Sequence, residues 1–489
     1  MKRGALDCAW IATGLLIFVA TMIYPIGAAS IAAARDWRAF SPSLTLSYRL
    51  LGHSLLMALS ASILALAIAL PAAYWLGQQA GRSVSSGMAA LLAAPLLFPP
   101  MVYVFGWSGL LHAKGELLCV AVWATWMWPV HAAILGAAWA RRARSVWEAA
   151  LVDTSPQWAA LRAVLPVLAP QALGSIMLVA AFLFGEYTTP HACGLIVFAT
   201  DLLARSEAAS TPWDVIGAAL PGGFIITCLL AIALWMARDQ RAAEETAANT
   251  TRSGGRAIGV AVMAFITITL GVPLVALACR VPLMASISTT LHTYSFELSA
   301  SVGAALAAGL LAILMGAAAT AIGRLRWPAL AWAVLWAALP GGLIGELIVG
   351  AYLPIAAVYD SPLLTILGWT ARFGWIGIAT AWLARASTGR DIEHAAALDG
   401  ATAATITRRV ILGSNMPLLA AGFLMVAALS LADVATTSLV RTPGFMPISM
   451  VLIEKFHRME DGILVAISLL LVLASIPGMI CAGWAASRR

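Results

Sequence analysis

About a dozen runs of roughly 20 apolar residues follow one another along this chain, each long enough to cross about 30 Å of hydrocarbon as a helix. No other pattern limits the fold so strongly, because the core of a soluble domain rarely needs so many apolar helices in series. The runs lie near 8–33, 51–76, 87–111, 117–139, 170–189, 216–237, 257–279, 297–322, 329–354, 370–386, 416–436 and 462–486. Composition agrees. Of 489 residues 62% are hydrophobic and 10% are charged, against about 25% charged in soluble domains. The expected fold is an all-α integral membrane protein of about 12 transmembrane helices.

Orientation follows from arginine and lysine, which accumulate on the cytoplasmic side. With both termini inside, 19 of the 29 basic residues fall in cytoplasmic segments, including Arg141, Arg142, Arg144, Arg162, Arg385, Arg390, Arg408 and Arg409. The net charge of +7 is largely this topogenic bias and calls for no nucleic acid. Met1-Lys2-Arg3 and the apolar run behind it mimic a signal peptide, but the run exceeds the usual apolar core of 7–15 residues. It is expected to remain as the first helix. The six cysteines form no Cys-x-x-Cys pair and fall mostly inside spans, as small buried apolar side chains do. His191 beside Cys193 lacks the further ligands a metal needs.

The chain looks duplicated. Glu148-Ala149-Ala150-Leu151-Val152-Asp153-Thr154-Ser155 and His394-Ala395-Ala396-Ala397-Leu398-Asp399-Gly400-Ala401 are polar segments between apolar runs, in register at an offset of 246. Arg162 and Arg408 share that offset. Pro25 and Pro273, Ala94-Pro95 and Leu339-Pro340, and Glu186 and Asp433 match at 248, 245 and 247. Several landmarks at one spacing indicate an internal repeat. Between the copies, 238–256 is polar and rich in small residues, as a flexible linker is. The expected division is 1–237, a linker at 238–256, and 257–489. An even number of spans per half makes the two repeats parallel.

Each polar segment is alanine-rich and suited to a short helix. In the first, Trp147, Ala150 and Leu151 form an apolar stripe at helical spacing, leaving Glu148 elsewhere on the surface. Asp153 or Thr154 is expected to cap a following helix over 156–164, with Pro156 in its first turn. Gly400 suits a sharp bend. A helix, a corner and a second helix returning to the membrane make a rigid projection that fits a cleft on another protein. An interfacial helix without a partner is the other reading.

At these residues the chain resembles the transmembrane subunits of ABC importers, whose signature is Glu-Ala-Ala, three positions, Gly, then Leu-Pro about ten residues on. The first segment supplies Glu148, Ala149, Ala150, Asp153 and Leu165-Pro166, with Thr154 at the glycine position. The second supplies Ala395, Ala396, Asp399 and Gly400, with His394 in register with Glu148, Glu393 one place early, and Leu412 in place of the proline. The resemblance covers both halves. It is nearest to fused permeases of the ferric iron and thiamine type, with Ala338-Leu339-Pro340-Gly341 and the Pro443-Gly444 turn similar to the iron members.

The resemblance implies a type I importer permease in a bacterial inner membrane. Two copies of a cytoplasmic ABC ATPase would grip the coupling loops, and an extracytoplasmic solute-binding protein would deliver ferric iron, thiamine, a polyamine or a phosphonate. ATP would be used by the partner, with no cofactor bound by this chain. The residues agree on one point: Lys2, Lys114 and Lys455 are the only lysines and none follows a glycine, so the Gly-Lys step of a phosphate-binding loop is missing.

Ionisable residues within spans are costly and mark functional candidates. Glu186 and Asp433, within or near the outer part of the fifth helix of each half, are candidates for the pathway. Pairing with Arg205 or Arg441, or structural hydrogen bonding, are the alternatives. Glu346, in the ninth span, is a third candidate without a matched acid in the first half. An ATP-independent 12-helix secondary transporter is the rival function. A membrane enzyme would need a cluster of catalytic or metal-binding groups at one face, and the seven histidines are scattered.

Overall fold

Backbone amides in hydrocarbon have no water to bond, so a spanning chain satisfies them within helices. The structure is a computed structural model describing residues 2–35, 48–78, 86–209, 211–237, 256–322, 325–458 and 460–487. The described residues are helical almost throughout and contain no strand. Residues 238–255 of the expected linker, with Arg82 and Arg324, lie outside the described residues.

The chain begins with α1 (Lys2–Phe18), a π turn, and α2 (Tyr24–Arg35). Next come α3 (Tyr48–Gln78), α4 (Ser86–Leu97), α5 (Pro100–Leu111) and α6 (Glu116–Ala138). The first polar corner follows as α7 (Arg144–Asp153) and α8 (Pro156–Ala159). Then come α9 (Leu165–Phe184), α10 (Thr188–Ala192), α11 (Phe198–Ala208) and α12 (Pro212–Ala237). The second stretch opens with α13 (Arg256–Ala278), α14 (Leu283–Thr293) and α15 (Ser295–Ala321). It continues through α16 (Arg326–Ala338), α17 (Gly341–Tyr352), α18 (Ala356–Tyr359) and α19 (Leu363–Ser387). The second corner is α20 (Arg390–Leu398) and α21 (Ala403–Thr405). The chain finishes with α22 (Met416–Ala432), α23 (Thr437–Val440), α24 (Ile448–His457) and α25 (Asp461–Ser487).

Nine described helices are long and apolar enough to cross a membrane, or eleven if each of two bent pairs is one span. The protein is therefore a multi-pass membrane protein. The expected spans at 87–111 and 329–354 are each interrupted. The first is two helices of 12 residues, parted at Phe98-Pro99. The second bends by 110° between α16 and α17, at Leu339-Pro340. Proline has no amide hydrogen and clashes with the preceding turn, so each helix stops and restarts there. Pro95, at an offset of 245 from Pro340, sits inside α4 and not at the break.

Two compact units form, and neither is one linear stretch. The first contains residues 1–47, 199–221 and 277–485; the second contains 48–198, 222–276 and 486–489. The helices opening the two sequence halves are thereby exchanged. In the first unit α1 packs on α15 so closely that a Cβ on Gly14 would lie 2.4 Å from the Leu314 carbonyl oxygen. Tyr24 and Tyr352 bond reciprocally there, each hydroxyl donating to a carbonyl beside the other ring, Ala351 at 3.0 Å and Ala20 at 2.9 Å. In the second unit α13 packs Val262 and Ile266 into alanines of α3 and α6, and Pro273 fills the space beside Gly106.

The centre of each unit is a three-helix junction, and the two are built from opposite chemistry at matched positions. In the second unit His131 on α6 is fully buried, its ring nitrogens 3.3 Å from the Ser62 hydroxyl of α3 and 2.8 Å from Ser175 of α9. At offsets of 247, 246 and 247, Ser62, His131 and Ser175 become Gly309, Gly377 and Gly422. There the helices close up instead. A Cβ on Gly377 would lie 2.0 Å from the Ala312 carbonyl oxygen, and one on Gly316 2.1 Å from that of Gly377. Small residues that let backbones approach are what hold helices together when lipid removes the hydrophobic drive. Gly377→Leu will part α15 from α19 at a cost of about 1–3 kcal/mol, measured as a lower melting temperature in detergent. Gly303→Leu, whose Cβ meets nothing within 4 Å, will melt like the parent protein.

Candidate functional site

The second corner is a separate short helix. α19 ends where Thr388 turns extended, and Gly389 precedes α20. Asp391 and Glu393 lie in the first turn of α20, where negative charge favours the helix dipole. The far end is a Schellman cap: the Gly400 amide donates to the Ala397 carbonyl at 3.0 Å and the Ala401 amide to Ala396 at 3.1 Å. This geometry puts Gly400 at φ +79°, a left-handed conformation that glycine adopts without penalty. Thr402 then caps α21 by accepting from the Thr405 amide at 3.2 Å. Ala396 and Ala401 pack onto buried Ala384, Ile406 and Ile411, which fixes the corner to the helix ends behind it.

The first corner is built differently. α6 passes through a π turn at Trp139–Ala143 into α7 without interruption, giving one apolar helix over Glu116–Asp153. Thr154 stands where glycine would, and a β-branched residue pays heavily for positive φ. It is extended instead, at φ −149° and ψ 168°. The chain turns through Thr154-Ser155, and Pro156 opens α8. Ser155 holds the N-cap position with no side-chain cap bond, so the capping expected of Asp153 or Thr154 is corrected. Trp147 does pack inward, against the buried group of Trp139, Ala143 and Val164.

The inward tether also changes chemistry at conserved spacing. Arg385 and Glu393 form an ion pair with side chains 15% and 19% exposed. The positions 246 earlier are Trp139 and Trp147, whose rings meet at 6.0 Å. Glu393 is therefore committed to the corner's own structure and does not face out. The outward positions are those in exact register. Glu148 and His394 are both exposed, as are Ala149 and Ala395, and Asp153 and Asp399. Ala150 and Ala396 are half-buried beneath them, and Thr154 and Gly400 are exposed at the turns. Val152 and Leu398 are 83% and 89% exposed. Each corner thus offers solvent an aliphatic knob on an alanine-rich helix, flanked by an aspartate. Glu148 is held by Arg144 one turn earlier, at 3.2 Å.

Glu186 and Asp433 lie at the ends of α9 and α22, just before the short helices α10 and α23. Both are caps. Glu186 accepts from the amides of Thr188 at 2.6 Å and Thr189 at 3.0 Å, and from the Trp123 indole at 2.9 Å. Asp433 accepts from the amides of Thr436 at 3.1 Å and Thr437 at 3.0 Å. Its side chain is one methylene shorter, and the Thr437 hydroxyl bridges the gap, donating to Asp433 at 3.0 Å and accepting from the Trp369 indole at 2.8 Å. Trp123 and Trp369 are 246 apart. Arg205 bonds Asp201 at 2.7 Å, and the cation whose charge acts on Asp433 is Arg372. Glu346 is buried in α17 at 5% exposure.

Two contributors were missed in the sequence. Arg372 sits in the third turn of α19, because that helix begins seven residues before the expected 370. It donates to the Leu339 carbonyl at 2.6 Å, at the bend between α16 and α17. Asn415 fills the 85° bend before α22. Its amide donates to the carbonyls of Ala384 and Ile411 at 3.2 and 2.8 Å, and its oxygen accepts from Ser387 at 2.9 Å. Nothing around an isolated asparagine reveals such a role. His191 stacks on Tyr187 at 4.9 Å, and no group of three metal-binding side chains occurs among the described residues. No protein-family model, curated protein or solved structure matches the chain.

Two measurements probe the corners. Gly400→Val will cost about 1–2 kcal/mol by forcing a β-branched residue left-handed, seen as faster hydrogen exchange over 390–412 with exchange over 144–164 unchanged. Arg385→Ala and Glu393→Ala will each loosen the second corner. The double variant will lose less than their sum, by about 0.5–3 kcal/mol, in thermal melts.

Proposed function

We propose that this chain is the permease subunit of an ATP-driven importer, with two parallel six-helix repeats forming the pathway and separate ATPase subunits gripping the corners from the cytoplasm. The observation that carries this reading is the pair of solvent-facing strips: Glu148, Val152 and Asp153 in one, His394, Leu398 and Asp399 in the other, in register at 246 residues. An aliphatic side chain more than four-fifths exposed on each projecting helix favours a protein partner, since burying it there releases water. Recurrence of the carboxylate caps and indole donors at the same spacing supports the repeat. On this reading the chain is not itself an enzyme, its ATPase partners number two, a solute-binding protein supplies the cargo outside, and the membrane is a bacterial inner membrane with both termini cytoplasmic. Ferric iron, thiamine, a polyamine or a phosphonate is the cargo this class offers.

The rival reading, an ATP-independent carrier, draws on the Arg372–Asp433 charges inside α19 and at the end of α22, where carriers keep coupling groups. One experiment separates the two. The tagged chain, isolated gently from its native membrane, will retain an ATPase. Glu148→Arg combined with Gly400→Asp will insert normally but lose that ATPase and lose uptake. Undiminished uptake by the double variant, or proton-driven uptake in vesicles without ATP, overturns the importer.

A further inference from the structure

Cys119 and Cys193 are 74 residues apart in sequence and adjacent in the second unit. The Gly115 amide donates to the Cys193 carbonyl at 3.2 Å, and Cys119 lies one turn into the helix that Gly115 opens, its amide bonding the Gly115 carbonyl at 3.1 Å. Those backbone bonds place Cys119 one helical turn from the Cys193 main chain; both are free thiols in the structure, and the residues are 0% and 2% exposed. The matching positions in the first unit show what this junction does. At offsets of 246 and 247 they are Thr365 and Val440, and the Thr365 hydroxyl donates to the Val440 carbonyl at 2.7 Å. Where one unit fastens its spanning helix to the segment behind the capped short helix with a hydroxyl, the other places two cysteines.

We propose that Cys119 and Cys193 are joined by a disulfide in the mature protein, formed before the turn closes over them. The inference rests on the importer reading for its compartment. α6 runs unbroken from Glu116 to the first corner, so the cysteine pair lies at the opposite end of that span. Corners in the cytoplasm put the pair on the extracytoplasmic side, where disulfides persist. One cysteine thiolate attacks an external disulfide carried by a thiol oxidoreductase, and the second then displaces the oxidoreductase sulfur. One S–S bond breaks and one forms. The two electrons and two protons given up by the cysteines leave with the oxidoreductase as a dithiol. Burial afterwards shields the bond from exchange.

The test counts free thiols in the full-length protein. Cells are quenched with acid, the protein is unfolded in detergent, and a polyethylene glycol maleimide is added with and without prior reduction. The chain has six cysteines, so the proposal requires four tags before reduction and all six after it. Cys119→Ser and Cys193→Ser must each give five tags under both conditions. Six tags on the unreduced protein overturn the proposal. So do three tags on unreduced Cys119→Ser, which would reveal a bond between other cysteines. Orientation is read separately, from labelling of Asp153→Cys by an impermeant maleimide on intact cells. Labelling from outside would refute the cytoplasmic corners while leaving the disulfide to stand or fall on its own count.

Discussion

Wherever a helix stops within or beside hydrocarbon, the first amides of the next segment need acceptors, and one carboxylate supplies them in each half of this chain. Glu186 gathers two amides and an indole; Asp433 gathers two amides and a hydroxyl that holds the indole. Hydrogen bonds to a charged group contribute about 1.5–3 kcal/mol each, and leaving such buried donors unmet costs more than the bonds contribute. Much else leans on these caps. Short helices α10 and α23 are positioned by them, and the chain then enters α11 and α24, whose first amides are met by Ser54 at 2.8 Å and Ser301 at 2.9 Å. Both carboxylates thus hold turns, at Thr188-Thr189 and Thr436-Thr437.

The two units reach similar geometry by different means, and the substitutions move together. A Ser-His-Ser network in one junction corresponds to three glycines in the other. Two tryptophans correspond to an arginine and a glutamate beneath the corners. Volume and polarity trade against each other because a membrane helix pair is held either by close backbone approach or by buried polar contacts. The unit with glycines also carries Arg372 and Asn415, which satisfy carbonyls at its sharp bends. Bent helices release backbone acceptors that straight ones do not.

Asymmetry extends to the corners themselves. One is the unbroken end of a long helix, turned by an extended threonine; the other is detached by Gly389 and closed by a left-handed glycine. Their outward strips nevertheless coincide position by position. Glu148 and His394 differ in charge, whereas the alanine face and the aliphatic knobs Val152 and Leu398 are common to both corners.

The sequence by itself determined the helical, membrane-spanning character, because apolar runs of this length have one stable use in hydrocarbon. It also set Asp153 and Asp399 at the spacing of 246 that separates the indole donors Trp123 and Trp369. Gly400 announced its bend through the one residue type that turns left-handed freely. Tertiary structure alone decided that Glu393 faces inward, that Arg372 reaches the Leu339 carbonyl, that Cys119 lies near the Cys193 main chain, and that the opening helices are exchanged between the two units. Those outcomes depend on contacts between residues separated by eight to hundreds of positions. Helical periodicity reports which face of a segment is apolar, and carries no record of which distant segment will cover it.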